Sequence, residues 1–167
     1  MSRGFVKEDD QEEIPIVPQR AYLPDGVTNF VTPFGMDQLL AEKQTLINER
    51  ENLNSTSENE RRIAANYINA KLQLLNNRIA AARVVNPNEQ PQNEIRFGAS
   101  VTLKTEGSGI LQTFQITGVD EADISKGKIS FISPLAKALI NKKTGDKVVL
   151  KRPKEVTVFE IMEIAYG

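Results

Sequence analysis

The chain has 167 residues and a composition break near Pro87, which favours two small units over one large core. With apolar residues at 40% and charged residues at 26%, it has no apolar run near the ~20 residues of a membrane span; without cysteine or histidine, disulfides, thiolate chemistry, imidazole acid–base catalysis and ordinary zinc sites are excluded. Its 21 basic and 22 acidic side chains leave a formal net charge of -1, which argues against a general DNA or RNA binder and favours a protein partner.

Residues 1–31 combine the acids Glu8, Asp9, Asp10, Glu12 and Glu13 with Pro15, Pro18, Pro24 and Gly26. They show neither a helical nor a strand period and read as an extended arm. The opening has no secretory signature, so the expected location is the cytoplasm, with no membrane contact. Thr32-Pro33 then supplies an N-cap hydroxyl followed by proline at the first helical position, where a missing N–H costs nothing.

From Met36 to Leu53, Leu39, Leu46 and Leu53 recur every seven residues, and Met36, Leu40 and Ile47 widen the stripe. After the polar break Asn54-Ser55-Thr56-Ser57, a second stripe runs Ile68, Leu72, Leu75, Ile79 and Ala82, with the spacing of a coiled-coil seam. Two such helices on a short turn predict an antiparallel hairpin over residues 32–86, roughly Thr32 to Val85. Pro87, Pro91 and the amide-rich stretch around them predict a linker over 87–93.

The second unit, 94–167, carries strand-like runs at Ile95 to Lys104, Ile110 to Val119, Lys128 to Ile132, Lys147 to Lys151 and Val156 to Ile164. Ser133-Pro134 repeats the cap-plus-proline signal before Leu135, Leu139 and Ile140, predicting one helix over one face of an antiparallel sheet. The expected fold class is therefore α+β, a coiled-coil hairpin followed by a sheet with one helix.

The segments IRFGASVTL and TGVDEADISKGKISFISPLAKALINKKTGDKVVLKRP resemble the carboxy-terminal domain of the GreA/GreB family, an FKBP-like module. The segment VTPFG resembles the start of that family's first coiled-coil helix, and SRGFVKEDD resembles a Gre-related subgroup with an amino-terminal extension. The resemblance implies a transcription elongation factor whose partner is RNA polymerase. Its globular domain would dock at the secondary channel, its hairpin would enter the channel, and contact with the nucleic acid of the transcription complex would be indirect. It further implies that two tip acids help hold a magnesium ion jointly with the polymerase, which then cleaves the backtracked transcript. The chain would thus be no enzyme of its own and would carry no intrinsic cofactor.

The family's tip signature, Asp-Leu-Ser-Glu-Asn, is matched here by Ser55-Thr56-Ser57-Glu58-Asn59. Ser55 stands where the family has aspartate. The tip candidates are Ser55, Ser57, Glu58 and Asn59, and helix capping by Ser57 or Ser55 explains the same residues. The first arm of the hairpin is also shorter than the family pattern by on the order of ten residues, or ~15 Å of reach. Candidates for polymerase docking are Asp120, Glu121, Asp123, Ser133 and Pro134; acids in a loop, or a helix cap, would account for them equally. The other readings are a channel-binding regulator without cleavage, a prolyl isomerase, which would need an aromatic-walled pocket, and a coiled-coil adaptor, which leaves the carboxy-terminal motifs unexplained.

Overall fold

The computed structural model describes residues 14–54 and 57–167. From residue 14 the chain runs without helix or strand, through a bend at Ala21, to a turn at Pro24-Asp25-Gly26, then forms a short strand β1 (Asn29–Val31). Helix α1 (Pro33–Glu51) follows, capped as expected: the Thr32 hydroxyl accepts a hydrogen bond from the Gly35 amide at 2.9 Å. Helix α2 (Glu58–Ala81) returns antiparallel to it.

The seam is the one that the periodicity specified. Leu39 and Leu46 of α1 and Ile68, Leu72 and Leu75 of α2 are buried, and Met36, Ile47, Leu53, Ile79 and Ala82 pack at the margins. Leu40 is left out, 45% exposed, because it lies off the stripe that faces α2.

Helix α2 stops at Ala81, short of the expected Val85. Ala82 leaves helical geometry, and residues 82–84 form strand β2 (Ala82–Val84), which pairs in parallel with β1. The bond from the Val85 amide to the Val31 carbonyl extends this pairing. A β-branched pair ahead of Pro87 is a poor helix end, and the arm supplies the backbone partner that makes extension favourable. The arm gave no strand signal because three residues are too few to show an alternation.

Five strands build the second unit: β3 (Ser100–Thr105), β4 (Leu111–Thr117), β5 (Lys128–Ser130), β6 (Lys147–Lys151) and β7 (Val156–Ala165), in the order β5-β4-β3-β7-β6. The expected antiparallel sheet is corrected at one edge, where β4 and β5 run parallel and make the sheet mixed. Residues 118–127 are too long for a tight hairpin and instead cross over the end of the sheet. The first expected strand also starts late. At residues 95–99 the chain bends through Gly98, whose φ of +91° suits glycine, before joining β3.

Alternation puts Val101, Leu103, Val148, Leu150, Phe159 and Ile161 on one face, covered by Ala136 and Leu139 of helix α3 (Pro134–Leu139). Tyr166 ties the end of the chain back to the start of this unit: its hydroxyl donates to the Glu94 carbonyl at 2.6 Å and accepts from the Arg96 amide at 2.8 Å. Burial raises the Tyr166 pKa, and the Arg96 amide only partly offsets this. Because the folded pKa lies above the unfolded value, this contribution is full below about pH 10 and is lost as pH rises through the folded pKa. Tyr166→Phe should cost ~1 kcal/mol at neutral pH and flatten the alkaline limb of a stability–pH curve. An unchanged alkaline limb would show that the phenol is not the titrating group.

Candidate functional site

The hairpin tip is built by the start of α2. The Ser57 hydroxyl accepts from the Glu60 amide at 3.3 Å, so Ser57 is the N-cap. Glu58 and Glu60 stand in the first turn, where the positive end of the helix dipole favours them. The Asn59 side-chain oxygen Oδ1 accepts from an Arg62 guanidinium nitrogen at 2.7 Å. Ser55 lies outside the described residues. Glu58 is exposed at the turn, while the hydroxyl of Ser57 and the amide oxygen of Asn59 are engaged locally. A magnesium site asks for several oxygen ligands including carboxylates, and of the described signature positions only Glu58 carries a carboxylate. Among the described residues no group of three or more acids is placed to hold a metal ion.

At the other end of the hairpin, the arm, the helices and the 118–128 crossover meet in a polar joint. Asp120, only 8% exposed at its side chain, takes two guanidinium groups: Arg20 Nε at 3.0 Å on Oδ1 and Arg78 Nη1 at 3.0 Å on Oδ2. Arg20 reaches on to Glu42 of α1 at 2.5 Å, and Arg78 also donates to the Ala21 carbonyl. Burial would lower the Arg20 pKa, but the carboxylates of Glu42 and Asp120 outweigh it and raise it above its ordinary value.

Beside this joint Glu121, 2% exposed at its side chain, accepts from the Thr32 hydroxyl at 2.5 Å and from Lys128 Nζ at 3.1 Å. Thr32 thus accepts from Gly35 and donates to Glu121, so one hydroxyl caps α1 and holds the crossover against it. Lys128 Nζ sits 4.2 Å above the Phe34 ring, a cation–π contact. A Cβ on Gly35 would lie 2.6 Å from Glu121 Oε1, and one on Gly118 would lie 2.5 Å from the Phe30 carbonyl oxygen. Both glycines are therefore demanded by close approach between the two units.

The expected docking residues separate accordingly. Asp120 and Glu121 are spent inside the chain rather than turned to solvent. Asp123 is half-buried, and its carboxylate caps the turn at 124–126, accepting from the Ser125 hydroxyl at 2.6 Å and the Ser125 amide at 3.0 Å. The Ser125 hydrogen bonds hold its pKa below the ordinary aspartate value. Ser133 is the N-cap of α3, and Pro134 is exposed at its first position. The tip and the joint are separated by most of α2, ~30 Å for residues 58–78.

Sequence reasoning missed Arg20, Arg78, Lys128 and Phe30. Nothing in the local pattern marks Arg20 or Arg78, but the two segments singled out, VTPFG and DEADI, prove to be the halves of one contact. Phe30 packs on Phe97 at 5.9 Å and on Phe131 at 5.7 Å, and these two lie 5.7 Å apart. Phe159 is buried in the sheet core and Phe114 packs against it. The rings that could wall an isomerase pocket thus fill one another's space.

The family model described as "Transcription elongation factor, GreA/GreB, C-term" matches residues 90–166. The chain is 40% identical over 100 residues to transcription elongation factor GreA of Syntrophotalea carbinolica, a match of 60% of this chain and 63% of that protein. It thus spans less than two thirds of that relative. It is 32% identical over 152 residues to GreA of Rhodospirillum rubrum, covering 82% of this chain and 97% of the relative. Among solved structures, GreA/GreB from Nitrosomonas europaea covers 82% of the chain at 22% identity with a TM-score of 0.42. The GreA factor homolog Gfh1 of Thermus thermophilus covers 83% at 22% identity with a TM-score of 0.40.

Proposed function

Since the chain belongs to the GreA/GreB family of transcription elongation factors, we propose that it binds RNA polymerase at the secondary channel and acts there chiefly by occupying it. The observation that carries this reading is the tip. Ser57 and Asn59 are engaged in local hydrogen bonds, and Glu58 alone keeps an acid at a position matched to the family signature. One carboxylate at a signature position is too little to recruit a divalent ion, so transcript cleavage by the polymerase would gain little from it.

Reach points the same way. Helix α1 has 19 residues, ~28 Å of rise, and metal coordination requires contact at ~2.1 Å. A tip that stops short contributes nothing to the metal whatever its charge. The chemistry in this reading belongs to the polymerase; this chain's residues supply shape and docking. No helix among the described residues is long and apolar enough to cross a membrane. The filled aromatic cluster gives the prolyl-isomerase alternative no support.

On one backtracked complex, the wild type should stimulate cleavage at least about tenfold less than an ordinary GreA, a difference of ~1.4 kcal/mol in barrier, while competing with it for the polymerase. Robust cleavage that Glu58→Ala abolishes would overturn the reading and show that one acid within reach suffices. Failure to compete would remove the channel-binding half as well.

A further inference from the structure

The arm is fastened in two different ways along its length. From Asn29 to Thr32 the attachment is permanent in character: backbone pairing with β2, the Phe30 ring between Phe97 and Phe131, and the Thr32–Glu121 bond. Ahead of Asn29 the character changes. Residues 14–28 form no strand with either unit, and Ile14, Ile16 and Tyr22 are 89%, 94% and 76% exposed. The side-chain ties recorded for this outer part are Arg20 on Asp120 and Glu42, and the Ala21 carbonyl under Arg78.

These ties join three bodies. Glu42 belongs to α1, Arg78 to the last turn of α2, and Asp120 to the crossover of the sheet unit. Arg20 closes the ring from outside, and its guanidinium, which cannot lose its proton, presents a planar fork to two carboxylates at once. Other charged side chains facing the same groove are Glu49 of α1 and Lys71 of α2.

We propose that residues 14–28 are a releasable strap, held by charge rather than by backbone or core packing, and that its closure fixes the angle between the hairpin and the sheet unit. With the strap released, Asp120 keeps Arg78 but α1 loses its ion-pair link to the crossover, and the units can rock about β1, Phe30, the Thr32–Glu121 contact and the Lys128–Phe34 contact. The Arg20–Glu42 pair, 45% exposed at Glu42, is individually weak and screened by salt, while the Arg20–Asp120 pair is more enclosed and screened less. The strap is therefore most easily released at its α1 end, unlike the seam and the sheet, which are held by apolar burial. A cationic segment of a partner that competes for Asp120 and Glu42 would open it.

The absence of cysteine makes the test direct, because two introduced cysteines are unique labelling sites. Spin labels at Arg61→Cys on α2 and Lys154→Cys between β6 and β7 report the angle between units; labels at Ile16→Cys and Lys126→Cys report the strap. All measurements use the isolated 167-residue chain, so the outcome is independent of polymerase binding and of the function proposed above. Arg20→Ala should raise the unstrapped fraction about tenfold and broaden both distance distributions, with helicity by circular dichroism unchanged. Arg20→Lys, a point charge instead of a fork, should restore closure in part, and salt near 1 M, where the Debye length is ~3 Å, should mimic Arg20→Ala. Distributions in Arg20→Ala identical to wild type would overturn the strap. Broadening of the strap pair alone would overturn its control of the angle.

Discussion

Leu75→Ala should lower the stability of the hairpin by ~2–5 kcal/mol, the largest single effect expected in the chain. Leu75 is fully buried at the α2 side of a seam whose other buried members among the described residues are Val31, Leu39, Leu46, Ile68 and Leu72. Removing its branched end forfeits transfer free energy and leaves a cavity that helices fixed at both ends cannot easily close. Separate helices of this length are marginal in water, so the helical signal depends on the seam. Chemical denaturation followed by far-UV circular dichroism measures the loss. Leu40→Ala, at a position 45% exposed on α1, should cost less than ~0.5 kcal/mol and serves as the comparison. Equal losses for the two would mean that the seam is not the element that stabilises the hairpin.

Lys128→Met should cost ~2–4 kcal/mol, because it strands the Glu121 carboxylate at 2% exposure with the Thr32 hydroxyl as its one remaining side-chain partner. Methionine keeps an apolar stem beside Phe34, so the change isolates the charge. The figure lies below that of a fully enclosed pair because Lys128 is itself 19% exposed and water can reach the site. A buried pair replaced as a whole by apolar groups is often neutral, so Glu121→Met combined with Lys128→Met should recover most of the loss. A double-mutant cycle in denaturant decides the matter. If Lys128→Met costs no more than an exposed ion pair, ~0.5 kcal/mol, Glu121 is not relying on that ammonium.

These energetics give the motif residues a role inside the chain, beside the one their resemblance suggested. Thr32 and Gly35 of the VTPFG segment meet Glu121 of the crossover, Phe34 meets Lys128 at the start of β5, and Val31 and the Phe30 before it meet Gly118. The hydroxyl, the ring and the two glycines are each explained by this contact between units. Their demands are those of packing and of paired charge in a water-poor joint.

The sequence by itself determined what depends on local periodicity and local caps. The two helical stripes, the Ser/Thr-Pro starts at Thr32 and Ser133, and strands at 147–151 and 156–165 all follow from hydrogen bonding and side-chain alternation within a few residues. The tip residues were legible for the same reason, since Ser57 caps the helix that it precedes in the chain. Tertiary structure alone decided the rest. The β1–β2 pairing joins residues far apart in the chain and ends α2 early at Ala81; the parallel edge arises from a crossover whose path no short-range rule specifies. The fate of Asp120 and Glu121 also lay outside local pattern. An acid in a loop reads as solvated until arginines from the arm and from α2, 100 and 42 residues away in sequence, are brought against it. Such long-range charge pairing leaves no period, because it is set by where the folded units meet and not by the neighbours of each residue along the chain.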